Sequence, residues 1–343
     1  MRELLSRQAV TFIDLFAGSG GFRLGLGSRA KCVYACEIDP FCQKTYRANF
    51  KVDHPLDGDI RLVDETKIPD HDLLVAGFPC TSFSIGAYGT NHSLKRTDGF
   101  ENQKVGTLFF DVVRILKAKQ PSVFLLENVK NLLGHEYGDT FRVVQETLEG
   151  LGYYLDYRVI DACAWVPQHR ERVYIVGCRT PFGEDETVHD FLFPWDSMAH
   201  PKHPPILKSI LHPEDGSEPT EPPYTDAQGK VDPKYIIGDG TWAFHQRHRA
   251  KHQALGHNFG YSIVGPEDVA RTLSARYHKD GSEILIRRNG VPRRLTPREA
   301  FRLMGYPNDF KIVVSDTQAY RQAGNAVVPL VIRALSDRLI ALA

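Results

Sequence analysis

The sequence of 343 residues lacks a long hydrophobic run, and its cysteines follow no recognisable pattern. No segment approaches the roughly 18 apolar residues that a membrane-spanning helix needs. The N-terminal stretch MRELLSRQAV carries charges where a secretory signal peptide would have its apolar core, so we expect a cytoplasmic protein. The six cysteines form no CxxC pair and show no metal-type spacing with histidine, which argues for free thiols.

The chain also lacks net charge, but the charges are unevenly distributed. Residues 241–298 contain 11 Lys and Arg against 4 Asp and Glu, whereas residues 179–240 contain 5 against 12. The basic segment includes HQRHRAKHQALGH, with four histidines beside three cations. A polyanionic partner would explain this segment. A solvated face neutralised by the preceding acidic segment explains the charges equally well.

Short apolar segments alternate with helical patterns over residues 11–178. The pattern predicts a helix at Val105–Lys119, where apolar residues recur at helical spacing. Alternation of strands and helices predicts an α/β fold with a mostly parallel sheet, in which ligands bind beyond the carboxyl ends of the strands. The segments predicted as strands are TFIDLF, CVYAC, LLVAGF, VFLLEN and RVYIVGC.

The pattern changes near Arg179. Residues 179–240 are rich in Pro, Asp and Glu and are predicted to form loops, and YSIV, ARTLSA and EILIRRNG predict a small β-rich unit. In TPREAFRLMG, Thr296 and Glu299 predict a capping box at the start of a helix. The apolar stretch Val327–Leu342 predicts a last helix that packs back on the first domain.

Polar or flexible residues lie at four successive predicted junctions between strands and helices. They are the glycine turn at 18–21, the acid Glu37, the pair Asp59 and Ile60, and the thiol Cys80. Such a rim suits a nucleoside-bearing cofactor, with an acid on the ribose. The dinucleotide pattern GxGxxG is absent, because Arg23 stands at the third glycine. Taken alone, the turn is equally consistent with a plain tight turn.

Two further strand ends carry charged residues. Glu127 emerges from VFLL, so we expect burial to raise its pKa, although a helix-capping acid would look the same. Gln168, Arg170 and Arg172 are spaced by two and are expected to project to one face of an extended segment. There they would recognise carbonyl or carboxylate oxygens, unless they line a solvent-facing edge.

In six ordered motifs the chain resembles the C5-cytosine DNA methyltransferases of bacterial type. The resemblance implies a Rossmann-like domain that binds S-adenosyl-L-methionine (residues 1–180 and 320–343) and a smaller β-rich target-recognition domain (181–319), with the DNA cleft between them. The motifs are FAGSGG (16–21), GFPCTSFS (77–84), ENVKNLL (127–133), QHRERVYIVG (168–177), RRLTPREAFRLMGYP (293–307) and RQAGNAVVP (321–329).

The resemblance also implies a mechanism. Cys80 would attack C6 of a cytosine flipped out of the duplex, while Glu127 stabilises protonation at N3. C5 would then accept the methyl group. Arg172, with Arg170, would bind the base O2 and fix Glu127. The loop after Cys80, up to about Gly106, would close over the base.

The resemblance assigns cofactor-binding and DNA-binding residues. For the cofactor these are Phe16, Gly18, Gly20, Gly21, Glu37, Ile38, Asp59, Ile60, Pro79, Leu108 and Asn325. For DNA they are Ser84, Arg247, Arg249, Arg271, Arg276 and Tyr277. Three positions depart from the family: Thr81 replaces a usual glutamine, Ala326 a common serine, and Gly86 falls where some members insert a side chain into the duplex.

The implied partner is double-stranded DNA, acted on by a monomer in the bacterial cytoplasm at the nucleoid. The recognition segment resembles those of enzymes whose sites begin with CC, and a separate cognate restriction endonuclease is a further expectation. The related branch that methylates tRNA is one alternative. A non-catalytic DNA-binding relative is another, but it predicts damage at Cys80, Glu127 or Arg172, and all three are intact.

Overall fold

The computed structural model describes residues 9–79, 108–180, 193–257 and 260–343. Its main sheet has seven strands in the spatial order β3-β2-β1-β4-β5-β7-β6. All neighbouring strands are parallel except β7, which is antiparallel to both β5 and β6. The predicted mostly parallel sheet is therefore confirmed. The strands are β1 (Val10–Leu15), β2 (Ala30–Cys36), β3 (Leu56–Asp57), β4 (Leu73–Gly77), β5 (Val123–Val129), β6 (Tyr154–Asp161) and β7 (Glu171–Cys178).

Apolar side chains cover both faces of the central strands. Alternate residues of β1 enter different cores: Phe12 lies in one and Ile13 in the other. Because β4 and β5 are buried on both faces, β4 and the first four residues of β5 read as continuous apolar runs. The helices beside the sheet are α1 (Gly21–Leu26), α2 (Pro40–Asn49), α3 (Leu108–Lys119), α4 (Asp139–Glu149) and, at the end of the chain, α9 (Pro329–Leu342).

Both helices predicted to flank the sheet are present. The described part of the predicted helix at 105–119 is α3, which buries Phe109, Val112, Ile115 and Leu116. The last helix, α9, packs on α1 as predicted. A Cβ at Gly25 of α1 would lie 2.4 Å from the Cβ of Ile332, so only glycine permits this close approach.

The sequence pattern missed β6. Among the described strands it pairs with β7 alone, at the edge of the sheet, and most of its side chains are half-buried or exposed. An edge strand needs no continuous apolar run, so YLDYRVID carries a weak signal.

Residues 193–319 contain little regular structure. Residues 193–238 form loops with turns, bends, short 3-10 turns and isolated bridges at Thr225, Val231 and Ile236, which agrees with the predicted loops. A three-stranded sheet follows, in the order β10-β9-β8. ARTLSA, expected to belong to the small β-rich unit, forms no strand: Ala270 makes one isolated bridge to Gln168. The elements are α5 (Asp239–Ala254), β8 (Ile263–Val264), α6 (Tyr277–Asp280), β9 (Leu285–Ile286), β10 (Arg293–Arg294), α7 (Pro297–Leu303) and α8 (Asp316–Asn325).

The predicted capping box at the start of α7 is confirmed. The Thr296 hydroxyl accepts the N–H of Glu299, and the Glu299 carboxylate accepts the N–H of Thr296. In the described ranges, no helix has both the length and the apolar character that a membrane crossing requires.

Candidate active site

The glycine turn follows β1 at the carboxyl edge of the sheet. Phe16, Gly18 and Gly20 have φ of 57°, 54° and 85°, so the chain makes a sharp left-handed turn. A Cβ on Gly18 would meet nothing closer than the Phe16 carbonyl oxygen at 3.9 Å. The main chain at Gly18 is therefore open to the close approach of a ligand. Gly21, the first residue of α1, is buried.

Glu37 joins this turn to the end of β2. Its Oε2 accepts the N–H of Gly18 and its Oε1 the N–H of Asp39, both at 2.7 Å. Burial raises the pKa of this carboxyl, against the lowering effect of the two hydrogen bonds. Each oxygen retains a further lone pair for a hydroxyl donor. The neighbouring Ile38 exposes 62% of its surface and offers an apolar contact on the same rim.

The remaining predicted cofactor residues are on several elements. Asp59 accepts the N–H of Arg61 and pairs with its guanidinium, whereas the Ile60 side chain is only 3% exposed and packs in the core. Pro79 after β4 and Asn325 at the end of α8 are exposed, and Leu108 is half-buried. Two acids, an amide, an open glycine turn and exposed apolar groups fit a nucleoside bearing a charged amino-acid end.

Glu127 lies near the end of β5, beside the end of β4. It pairs in register with Gly77, and a Cβ on Gly77 would be 3.4 Å from Glu127 Oε2. The carboxylate therefore reaches toward β4 at a point three residues before Cys80. Cys80 itself lies outside the described residues, as do Ser84, Thr81, Gly86 and the predicted closing loop to Gly106.

Arg172 is the charged partner of Glu127. Its Nε lies 3.2 Å from Glu127 Oε1, and the two side chains are 15% and 11% exposed. Burial raises the pKa of the Glu127 carboxyl, and the cations of Arg172 and Arg170 oppose that rise. The group thus keeps its proton at higher pH than an ordinary glutamic acid, as the sequence predicted.

The Arg170 side chain has a structural role that the sequence did not predict. It is 2% exposed, and its guanidinium donates to the main-chain oxygens of Leu273 (3.0 Å), Gly324 and Ala326 (both 2.9 Å). These bonds connect the residues just before β7 to two distant segments. One segment is the main chain on both sides of Asn325, and the other contains Leu273, near Arg271. The prediction that Arg170 contacts the base O2 is therefore wrong, because its buried guanidinium binds main-chain oxygens and joins distant segments.

Gln168 makes the same kind of connection. It is fully buried, donates to Leu303 O at 2.8 Å and accepts the N–H of Leu273 at 3.0 Å. Of the three residues expected on one face, only Arg172 pairs with Glu127. The difference arises because β7 begins at Glu171, so Gln168 and Arg170 precede the strand.

Tyr277 is also corrected as a DNA-contact residue. It is fully buried, and its hydroxyl donates to Ile284 O and accepts the N–H of Leu295, at 2.7 and 2.8 Å. The other described candidates have accessible surface. Arg247, Arg271 and Arg276 are exposed, and half-buried Arg249 lies over the ring of Tyr261 at 4.8 Å.

Asn128 was missed by the sequence analysis. Its Nδ2 donates to Phe78 O at 3.0 Å, which fixes the end of β5 to the segment that leads into Cys80. The available signal was an amide directly after Glu127 at the end of a buried strand. Asn128 thus positions the Cys80 segment relative to Glu127.

Asp14 was missed as well, although it interrupts the apolar strand TFIDLF. It is fully buried, and neither carboxylate oxygen has a hydrogen-bond partner among the described residues. Burial raises its pKa from 3.8 to about 8, and Arg23 opposes the rise. A neutral acid therefore lies in the core two residues before Phe16.

Asp14→Asn is expected to remove a pH dependence of stability. A carboxyl whose folded-state pKa is raised loses its stabilising contribution as pH rises from the unfolded to the folded pKa. Between about pH 4 and pH 8, the wild type should lose roughly 1.4 kcal/mol of unfolding free energy per pH unit relative to the variant. Denaturant unfolding of both proteins at pH 6, 7 and 8 measures this. A constant difference between them would show that Asp14 is ionised throughout.

Comparison with known proteins identifies the family of this site. The sequence pattern of the C-5 cytosine-specific DNA methylases matches residues 10–341. The chain belongs to this family. This methylase is 46% identical over 334 residues to the Type II methyltransferase M.SsoII of Shigella sonnei, covering 96% of the chain and 79% of the relative. It is 43% identical over 333 residues to M.NlaX of Neisseria lactamica, covering 95% of both.

Solved structures share the fold of this methylase. The S. pombe Dnmt2 methyltransferase aligns with a TM-score of 0.70 at 18% identity, over 97% of this chain and 98% of that one. A prophage-encoded putative DNA modification methyltransferase of E. coli aligns with a TM-score of 0.64 at 21% identity, over 97% and 99%. The methylase is thus an enzyme of the cytosine-C5 DNA methyltransferase class with a Rossmann-like methyltransferase fold.

Proposed function

We propose that this methylase transfers a methyl group from S-adenosyl-L-methionine to C5 of a flipped cytosine in a short duplex site, through a covalent Cys80 adduct at C6. The observation that carries the proposal is the buried Glu127–Arg172 pair at 3.2 Å, on the strand beside the one that leads into Cys80. An acid that retains its proton, next to a nucleophilic thiol, is what activation of a cytosine ring requires.

The residues of the chain divide the chemistry between them. The Cys80 thiolate adds to C6 while the Glu127 carboxyl protonates N3, so that the electron pair of the C5–C6 bond becomes available at C5. Arg172 orients Glu127 and donates to the base O2. After methylation, the C5 proton passes to solvent, and N3 returns its proton to Glu127 as the C5–C6 double bond re-forms and the Cys80 thiolate leaves. The base must leave the helix first, at a cost of a few kcal/mol.

The cofactor supplies the electrophilic methyl group when it is bound. The open main chain at Gly18 would receive its amino-acid end, and Glu37 would accept its ribose hydroxyls. Ile38 and Asp59 would contact the adenine, and Asn325, held between two carbonyls bound by Arg170, would close the pocket. Phe16, Gly20 and Gly21 shape the turn, while Ile60 supports Asp59 from the core.

Replacing Glu37 should separate cofactor binding from DNA binding. Glu37→Ala removes the ribose contact, and loss of one hydrogen bond to a charged group costs about 1.5–3 kcal/mol, so affinity for S-adenosyl-L-methionine should fall by at least roughly 10- to 100-fold. Affinity for duplex DNA should change much less. Calorimetric titration of both ligands measures the split. Asp53→Ala, which changes an exposed acid paired with Lys51, serves as the control. Equal losses for both ligands would contradict the assignment.

The DNA would lie between a catalytic domain of residues 1–180 and 320–343 and a target-recognition domain of residues 181–319. Basic side chains of the second region that face solvent would contact the duplex, chiefly its phosphates. The candidates among them are Arg247, Arg271 and Arg276, which are exposed, and Arg249, which is half-buried. Ser84 would contact DNA from the loop that carries Cys80. Relatives named Type II methyltransferases further support a cognate restriction endonuclease that acts separately in the bacterial cytoplasm.

Bisulfite sequencing of a plasmid from cells expressing the chain tests the function directly. Cytosines that resist bisulfite conversion are expected at one recurring short sequence. Plasmid methylated by the purified protein in vitro should show resistant cytosines at the same sequence. An absence of protected cytosines together with methyl transfer to tRNA would favour the tRNA-methylating alternative. Duplex binding without transfer to either substrate would favour the non-catalytic alternative.

A further inference from the structure

Three side chains with different metal-binding atoms meet where β6 ends and β7 begins. A carboxylate oxygen of Asp161, the sulfur of Cys163 and a ring nitrogen of His169 all lie within 4.8 Å of one another. His169 Nδ1 is 2.8 Å from Asp161 Oδ2. Asp161 and Cys163 are half-buried and His169 is exposed, so solvent ions can reach the cluster.

Main-chain hydrogen bonds hold all three residues in place. Asp161 Oδ1 accepts the N–H groups of Cys163 and Arg170, at 3.1 and 2.8 Å. The main chain of His169 donates to Ala270 O at 2.9 Å and accepts from the Thr272 hydroxyl at 2.6 Å. A cation could therefore bind Oδ2 while Oδ1 keeps its hydrogen bonds. This is the outer-shell support that metal-ligating carboxylates usually have.

The donor set selects a class of cation. Carboxylate oxygen, thiolate sulfur and imidazole nitrogen are the zinc ligands of proteins, whereas magnesium and calcium bind oxygen ligands. We propose that Asp161, Cys163 and His169 form a three-ligand site for a thiophilic divalent cation of the zinc class. Asp161 and His169 also line a cavity of about 500 Å³, together with Lys130, Asn131 and Glu171.

Binding needs only local movement and a balanced exchange of protons. Ligand atoms around a tetrahedral zinc lie roughly 3–4 Å apart, which follows from metal–ligand distances of about 2.0–2.3 Å. The cation forms bonds to Oδ2, Sγ and the imidazole nitrogen. The thiol proton passes to the buffer, and the imidazole proton moves from Nδ1 to Nε2, so that the ring binds through Nδ1 as a neutral imidazole. The bound ion would join the end of β6 to His169, whose main chain is hydrogen-bonded to Ala270 and Thr272. It would therefore stabilise this junction rather than take part in methyl transfer.

Cobalt titration of the full chain tests the site, because cobalt bound to a thiolate has a near-ultraviolet charge-transfer band. The titration uses Cys80→Ser protein, so that the proposed catalytic thiol cannot contribute. The band should saturate at one equivalent of cobalt and be displaced by zinc, and zinc should raise the Tm. Adding Cys163→Ser should abolish the band. Adding His169→Asn should weaken affinity by more than about tenfold, since loss of even outer-shell partners costs about 10- to 100-fold.

Matched controls separate this site from the other thiols and histidines. Cys42→Ser removes another half-buried cysteine and His203→Asn another exposed histidine, and both should leave the titration unchanged. The proposal is overturned if Cys80→Ser protein shows no band that saturates at one equivalent, or if the band survives Cys163→Ser. Circular dichroism checks folding. If Cys163→Ser does not fold, an unchanged affinity in His169→Asn overturns the proposal.

Discussion

Cys80→Ser is expected to abolish methyl transfer, by on the order of 10⁴-fold or more in kcat, the scale reached when a catalytic nucleophile is removed. The reason is that C5 of cytosine is a poor nucleophile until a thiolate adds at C6, and a serine hydroxyl is a much weaker nucleophile at neutral pH. Single-turnover transfer of labelled methyl groups to duplex DNA measures the loss. The Kd for S-adenosyl-L-methionine and for DNA should stay within a few-fold of wild type.

Cys42→Ser is the matched control, because Cys42 is a free cysteine on α2 whose sulfur is assigned no role. It should keep wild-type turnover. Appreciable turnover by Cys80→Ser, or loss of turnover by Cys42→Ser alone, would contradict the covalent role of Cys80.

Glu127→Gln is expected to lower kcat by about 10²- to 10⁴-fold, the usual contribution of a general acid. The amide still donates a hydrogen bond to N3 but supplies no proton. In the wild type, kcat should fall as pH rises through the pKa of Glu127, which burial raises. The variant should lack that alkaline decline. A pH series of kcat at saturating DNA and cofactor measures both effects.

Arg172 offers an independent check of the same carboxyl. Its cation lowers the pKa of Glu127, so Arg172→Gln should move the alkaline decline of kcat to higher pH. Glu171→Gln is the control, since Glu171 is an exposed acid on the same strand, paired with Lys130 at 2.8 Å. It should leave the pH profile in place. An unchanged profile in Arg172→Gln would refute the coupling of Arg172 to Glu127.

The parts of the fold that follow from local patterns were predictable. The apolar runs of β4 and β5 and the buried stripe of α3 are direct consequences of burial, and the capping box at Thr296 is a local hydrogen-bond pattern. Residues at strand ends, such as Glu37 and Glu127, were predictable because parallel strands end at one edge.

The missed elements bury little of their own surface. Helix α5 buries only His245, so HQRHRAKHQA shows no apolar stripe at helical spacing. Strand β6 lies at the sheet edge. Without a buried face, neither element produces the periodicity on which a sequence-based prediction depends.

The corrected residues depend on distant partners. Arg170 is charged and close in sequence to Arg172, yet its donors are taken by carbonyl oxygens at Leu273 and Gly324, more than 100 residues away. A Cβ on Gly324 would lie 2.4 Å from the main chain of Ser274, so these segments touch. Such contacts are fixed by tertiary packing, and no local pattern in QHRER distinguishes a buried guanidinium from an exposed one.

The covalent role of Cys80 is tested most directly by locating the residue to which a mechanism-based substrate analogue becomes attached. Duplex DNA with 5-fluorocytosine at the target position should accept the methyl group. Fluorine cannot leave C5 as a cation in the way that a proton does, so elimination is blocked and the enzyme–DNA bond persists. Mass spectrometry of the trapped complex should locate the bond at Cys80. Attachment at any of the other five cysteines, or no adduct under conditions in which unmodified duplex is methylated, would contradict the account.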